Sequence, residues 1–422
     1  MHAGFKADRG DIDTDQPIAD KGDDTDVILE QAAAQGMNAL AAWLITTAGH
    51  VQLRKYRKHP RGLKKTPVSR THDPRQEPGY PMIKESLFAA QEREAKLDRL
   101  GDVLQVMEQQ VDFKALAAEM DRVAPRPGRA RGGRPPFPTE LMVRALVLQD
   151  LYGLSDEQME YQVLDRLSFQ RFLGLRHSSQ IPDRTTFWTF RERLTVAKAG
   201  DALFEAVHRQ LAQQGYIARG GQMVDASLVP VPRQHVTEKE RELLKASAMP
   251  VDWKPAQRRQ KDMEATWTKK HGKSYFGYKV SVSADRRYKL IRQVKVSTAA
   301  ENDTLHLEDV LDHANTGRDL YGDKGYVDGE RERRLKTQGW RVHIQRKAKK
   351  GKPLSACQAR RNTRIARVRA RVEHVFAAME QMGGKLLRCI GLDRATFQLT
   401  GKAAVYNLRR LCILKAYGVV AF

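Results

Sequence analysis

Three carboxylates stand out for what they could do together. Asp225 lies in Gln222-Met223-Val224-Asp225-Ala226-Ser227, and Asp323 in Leu320-Tyr321-Gly322-Asp323-Lys324-Gly325-Tyr326. Glu373 lies in the arginine-studded run Arg367-Val368-Arg369-Ala370-Arg371-Val372-Glu373-His374. The first two read as carboxylates at strand ends, the third as a carboxylate on a helix. Clustered carboxylates repel one another, so at neutral pH they favour a divalent cation. Three of them on a rigid α/β scaffold can hold two metal ions and drive in-line attack on a phosphodiester. One metal would activate a water or a 3′-hydroxyl, and the other would stabilise the leaving oxygen. All-oxygen ligation fits Mg²⁺, or Mn²⁺, better than Zn²⁺. Taken singly, each residue has a plainer reading: a strand-end Asp capping a turn, a turn Asp, and a helical Glu paired with Arg369 one turn earlier. The conjunction carries the case. His374 points about 100° away from Glu373 on a helix, so it reads as a packing or DNA-contact residue rather than a base.

The chain around these residues is strongly basic. It has 422 residues and a formal net charge of +23, enough length for two or three domains and a large core. Such an excess points to a polyanionic partner, with nucleic acid the first candidate. The cysteines Cys357, Cys389 and Cys412 lack metal-ligand spacing and read as core thiols of a reducing cytosol. The least charged stretch, 31–49, contains Gln, Asn and Thr, which argues against a membrane span. A cytoplasmic, nucleoid-associated protein is expected.

The elements that must position the carboxylates follow from periodicity. Residues 1–30 are acidic, 51–75 are basic, and prolines interrupt the region, so 1–81 reads as a poorly ordered extension. Asp20-Lys21-Gly22 echoes Asp323-Lys324-Gly325, and each is followed by Gln-Gly at the same spacing. The extension therefore reads as a fused remnant of a related frame, with Met82 the natural start. Residues 83–215 read as a helical DNA-binding domain. Pro138-Thr139 opens a helix that Gly153 ends, Ser155-Asp156-Glu157-Gln158 is a capping-box start, and Asp183-Arg184-Thr185-Thr186 starts another helix. The Leu154-Ser155 junction fits a tight helix–turn–helix, though a purely packing role fits nearly as well. Residues 220–415 form the catalytic domain. A strand over 223–229 precedes a polar insertion at 230–272. A hairpin over 275–284 and 290–297 follows, then a helix around 307–314 and a strand over 319–322. A helix over 329–338, a strand over 341–344 and a helix over 360–379 complete the order. The fold class is α/β: a ribonuclease-H-like mixed sheet with an N-terminal helical domain.

The Glu373 helix has two faces. Ile365, Val368, Val372, Phe376 and Met379 form a packing stripe, while Arg360, Arg364, Arg367 and Arg371 recur at spacings of three and four. Such an arginine row grips phosphates, and the plainer alternative is a solvated face. Arg346, Lys347, Lys349, Lys350 and Lys352 form a basic loop expected beside the site, positioning DNA without reading its sequence.

Local runs then identify a resemblance. From about 83 to 415 the chain resembles bacterial insertion-sequence transposases of the IS-five family, in the DDE group. The match is carried by Gly133-Arg134-Pro135-Pro136-Phe137-Pro138, Tyr152-Gly153-Leu154-Ser155-Asp156, Pro182-Asp183-Arg184-Thr185-Thr186 with Phe190-Arg191, Val224-Asp225-Ala226, Phe276-Gly277-Tyr278-Lys279, Thr298-Ala299-Ala300-Glu301-Asn302, and Arg369-Ala370-Arg371-Val372-Glu373-His374. The resemblance implies Mg²⁺-dependent action on the inverted repeats at an element's ends, with Asp225, Asp323 and Glu373 as catalytic and metal-binding triad. It implies strand transfer of a freed 3′-hydroxyl into target DNA, and a homodimer or larger assembly that joins two ends. Arg369, four residues before the Glu, would contact DNA near the scissile phosphate. The lysine usual seven residues after the Glu is here Glu380, with Lys385 the next lysine. Arg184, Arg191, Lys279, Arg364, Arg367, Arg369 and Arg371 are the candidate double-stranded DNA contacts. Two other readings stay open: a metal-dependent nuclease that cuts without joining, and an inactive DNA-binding relic of a transposase.

Overall fold

Short polar residues at helix starts set most of the N-terminal architecture. A computed structural model of the chain describes residues 86–421 apart from 127–131, 133–134, 176–177, 235, 246–249, 251, 271 and 349–350. The acidic and basic stretches of 1–81, the Asp20 echo, the remnant reading, the Met82 start, Lys349 and Lys350 lie outside the described residues. Helix α1 (Ala89–Leu100) leads into α2 (Val103–Gln110) and α3 (Phe113–Val123). Asp102 and Asp112 cap the latter two by accepting the Leu104 and Ala115 N–H groups, which would otherwise be orphaned. Helix α4 (Thr139–Tyr152) ends where Gly153 turns left-handed, at φ 64°. Helix α5 (Asp156–Asp165) starts with the expected Ser155/Gln158 capping box. Helices α6 (Leu167–Leu173), α7 (Arg184–Val196, capped by Asp183) and α8 (Gly200–Gln213) complete the region.

The sheet follows. Strand β1 (Gln222–Pro230) carries Asp225. The insertion contains α9 (Glu238–Lys245), α10 (Pro255–Arg259) and β2 (Thr266–Lys270). Then come β3 (Lys273–Asp285), β4 (Ile291–Thr298), β5 (Asp319–Gly322), α11 (Gly329–Thr337) and β6 (Arg341–Ile344). Helices α12 (Ala356–Gln381) and α13 (Leu392–Ala416) end the chain. Strand β3 pairs antiparallel with both β1 and β4, and its first residues pair with β2. Strand β5 runs parallel to β1 and β6 parallel to β5. The order β4–β3–β1–β5–β6, antiparallel first and parallel last, is that of the expected ribonuclease-H-like core.

Alternation along β1 divides the interior in two. Met223 joins the large apolar cluster with Val280, Val282, Val372, Val375 and the helices. Val224 joins a second cluster on the opposite face with Leu320, Tyr326, Leu335, Trp340 and Ile344. The helical region and the sheet share the first cluster, with α13 packed on α8, α4 and β4.

Two elements depart from the sequence reading. No helix forms around 307–314. A 3-10 turn at Asp303–His306 runs into further turns, yet Leu307, Val310 and Leu311 still bury in the second cluster. Apolar spacing there reports burial, not helix. Conversely, α13 has no legible stripe, because it is buried on nearly every side. Of the cysteines, Cys412 is buried and Cys389 partly so, while Cys357 is exposed at the start of α12 and is no core thiol. Among the described residues no helix is long and apolar enough to cross a membrane.

Candidate active site

Register brings the two aspartates side by side. Gln222 pairs with Leu320 and Met223 with Tyr321. Carried two residues further, that parallel register sets Asp225 level with Asp323. Asp225 shares a face with Met223, the face on which α12 packs. Its Oδ1 accepts the Ala226 N–H at 3.0 Å, and its Oδ2 accepts from Arg369 Nη2 at 2.9 Å. Asp323 follows the end of β5, and its Oδ1 accepts the Gly325 N–H at 2.7 Å. A Cβ at 325 would sit 2.9 Å from that oxygen, so a larger residue there would push the Asp323 carboxylate aside.

Burial raises the Asp225 carboxyl above its ordinary range. Arg369 and the Ala226 N–H pull it back, Asp323 pushes it further up, and Lys270 pulls it down. The mutual effect of the two aspartates is the repulsion expected of a cation site. Tyr326 is buried nearby, and burial together with the charges of Asp225, Asp303 and Asp323 keeps its phenol protonated.

Helix α12 is strapped to the sheet by its first turns. Arg361 donates to the Ile344 carbonyl, and Asn362 bonds both the N–H and the carbonyl of Arg346. Gln345, just beyond β6, bonds the Gly322 and Asn362 carbonyls, and its Oε1 lies 3.5 Å from Arg369 Nη1. These bonds fix the level of Arg369. Gln345 and Asn362 were not legible as site residues, since their role depends on where β6 ends.

Glu373 stands one turn beyond Arg369 on α12 and is exposed. The structure does not bring it to the two aspartates. Among the described residues no group of three or more His, Cys, Asp or Glu side chains is placed to hold a metal.

The candidate DNA contacts divide. Arg364 and Arg367 are exposed, as is Arg360. Arg371 is exposed and donates to the Arg286 carbonyl at 3.1 Å. Arg369 lies inward on Asp225. Arg191 makes a bidentate pair with Asp156, both bonds 2.7 Å, and ties α7 to α5. Burial opposes ionisation of Asp156, but Arg191 and Gln149 hold its carboxyl below the usual range. Arg184 is exposed and pairs with Glu157. Lys279 is nearly buried, with Asp303 at 2.7 Å and the Glu301 carbonyl as partners. Arg346 pairs with Glu332 through two bonds of 2.7 Å. The turn between α4 and α5 also packs inward: Arg388 donates to the Gly153 carbonyl, and a Cβ at 153 would lie 3.2 Å from the Met382 carbonyl. A cavity of about 660 Å³ beside this turn is lined by Asp150, Trp188, Arg191, Arg388 and Lys402 and by none of the acidic trio.

Residues 91–193 match a transposase domain (DUF772), and residues 219–408 match the transposase DDE domain. The chain belongs to the DDE transposases. The second match spans the whole sheet together with α12 and most of α13, so the Asp225–Asp323 pair lies inside the matched DDE domain. No solved structure matches the chain.

Proposed function

We propose that this transposase, of the IS-five type, binds insertion-sequence ends, cleaves the DNA there and joins the freed 3′-hydroxyl to target DNA. Asp225 and Asp323 are its paired catalytic carboxylates, and Glu373, which stands apart from them in the free chain, would complete the triad when metal and DNA are bound. The observation that carries the reading is Asp225, held by the Arg369 guanidinium, with Asp323 level with it just past the end of the adjacent parallel strand. A partly buried carboxylate beside a second one is an oxygen-donor set suited to a hard divalent cation, so the residues present fit Mg²⁺ or Mn²⁺. Asp225 and Asp323 would hold it, with Glu373 as third member. When bound, the metal supplies nucleophile activation and charge stabilisation at the leaving oxygen.

The chain's own residues do the positioning. Arg369 offers a guanidinium at the site's floor, where a phosphate oxygen could replace the Asp225 carboxylate as its partner. The exposed Arg360, Arg364 and Arg367 continue outward along α12 as a track for DNA backbone. Glu373 lies exposed on the same helix, open to incoming DNA. The helical region from α1 to α8 would hold the element's end, and a homodimer or larger assembly would bring two ends together. Work on chromosomal DNA would place the protein at the nucleoid.

The test is incubation of the purified protein with Mg²⁺, a labelled fragment carrying the element's terminal inverted repeats, and a target plasmid, beside Glu373→Gln. Cleaved and joined products that vanish in the variant are expected. Cleavage without joining would replace transposition by plain nuclease action. Binding without cleavage in either protein would make it an inactive relic.

A further inference from the structure

We propose that the hairpin made by β2 and the start of β3 clamps DNA at the mouth of the active site. Lys269, Lys270 and Lys273 would take backbone phosphates beside the scissile bond, and Trp267 would offer its face to an adjoining base. The proposal rests on the reading of the protein as a DNA-cutting enzyme and gives the insertion a role within it.

Topology places the hairpin at the site. Strand β1 ends at Pro230, opposite Gly277 of β3. The segment of β3 before Gly277 therefore overhangs the carboxyl end of β1, the end toward which β5 also runs, five residues beyond the level of Asp225. Ligands of sheets with parallel strands bind beyond those carboxyl ends. Register also sets the face. Phe276 lies on the Asp225 side of β3, six residues before Val282, which pairs with Asp225. Trp267 pairs with Phe276 and Lys269 with Ser274, so both look out from that same face. Close approach of the backbones at the junction requires glycine, since a Cβ at 277 would meet the Val229 carbonyl oxygen at 2.3 Å.

The surface chemistry fits nucleic acid. Lys269, Lys270 and Lys273 are exposed, and none of their side chains has a hydrogen-bond or ion-pair partner among the described residues. Trp267 is half exposed, with the Phe276 ring 5.3 Å away and the Arg233 guanidinium 5.7 Å from its centroid. Lys269 stands beside the backed aromatic face, while Lys270 and Lys273, paired with each other at the hairpin's tip, stand on its other face; cations around a stacking aromatic form the pattern that grips a strand and stacks a base. Lys270 already acts on Asp225 electrostatically. The hairpin is anchored: Thr266 Oγ1 accepts the Ala300 N–H at 2.8 Å, and Asp262 bonds Tyr278, Ala265 and Gly391. A clamp held this way loses little freedom when DNA arrives.

The test measures the salt dependence of binding to a labelled DNA duplex by fluorescence anisotropy. Each phosphate contact contributes about 0.9 to the slope of log affinity against log salt. Changing Lys269, Lys270 and Lys273 together to Ala is expected to flatten the slope by roughly 2 to 3 and to weaken binding at least ~10-fold at moderate salt. A control in which the exposed Lys295, Lys336 and Lys415 become Ala is expected to keep the wild-type slope. Equal slopes in wild type and hairpin variant, or equal losses in hairpin variant and control, would overturn the clamp while leaving the DNA-cutting reading intact. Failure of the wild-type chain to bind DNA at all would overturn both. Tryptophan fluorescence tests the aromatic part: quenching by DNA should shrink in Trp267→Phe, and undiminished quenching would remove Trp267 from the clamp.

Discussion

Arg369 occupies the position from which the charge of Asp225 is held. Its guanidinium offsets the burial and the Asp323 repulsion that raise the Asp225 carboxyl. Asp225→Asn and Asp323→Asn keep the shape and remove the anion. Each should lower single-turnover cleavage by ~10³-fold or more, about 4 kcal/mol of barrier, with duplex affinity unchanged by anisotropy. Retained cleavage in either variant would move the site elsewhere. Arg369→Ala should cost ~10–100-fold in the same assay, as loss of a group that orients others does. It should also leave Asp225 harder to ionise, so its cleavage should need higher pH than wild type.

Elements carry the longer-range consequences. Helix α12 delivers Arg369 inward and an exposed arginine row outward, so changing Arg360, Arg364 and Arg367 to Ala should flatten the salt slope of duplex binding by roughly 2 to 3. Unchanged thermal unfolding would show that the row is not structural. Helix α13 holds the sheet by a different device. Asn407, fully buried, bonds both the N–H and the carbonyl of Ile291 at 2.9 and 2.8 Å, and thereby extends the edge of β4. Asn407→Leu leaves the Ile291 N–H without its partner in a dry interior, and the carbonyl with His208 alone, and should cost about 1–3 kcal/mol, read from denaturant unfolding. The turn between β3 and β4 closes on a buried pair. Asp285 accepts from the Tyr288 and Leu290 N–H groups and from Arg292 at 3.3 Å.

Across the whole molecule, helices and sheet are coupled through one apolar cluster, and His208 sits in that seam. Its Nε2–H donates to the Ile291 carbonyl at 2.8 Å. Burial drops its pKa from the usual 6.5 to about 4, against the small rise that bond provides. The folded chain thus keeps His208 neutral down to about pH 4, whereas the unfolded chain protonates it near 6.5. Between those values the unfolded state binds the extra proton, so this contribution is present above pH 6.5 and is lost as pH falls toward 4. The full loss is on the order of 3 kcal/mol. Melting temperature should drop from pH 7 to pH 5, and His208→Gln should drop less over that range. Equal drops would show that His208 is not the group responsible.

The sequence by itself determined the local structure and the residue types. Ser155, Asp183 and Gly153 mark helix ends through hydrogen bonds made within a few residues, and the alternation of β3 marks its inner face, so these need no fold to be read. Asp225, Asp323 and Glu373 could be nominated because a run of neighbours states which element each sits on. Tertiary structure decided which of them meet. The parallel register of β1 and β5 levels Asp225 with Asp323, and that register arises from pairing residues nearly a hundred positions apart. The same distance effect turned Arg191 and Lys279 into partners of Asp156 and Asp303 and drew Gln345 and Asn362 into the site's support. It also hid α13, since a helix surrounded by protein has no polar face to give it a period. Local signals are short-range chemistry. Which charge is left free for DNA is settled only when distant elements have chosen their partners.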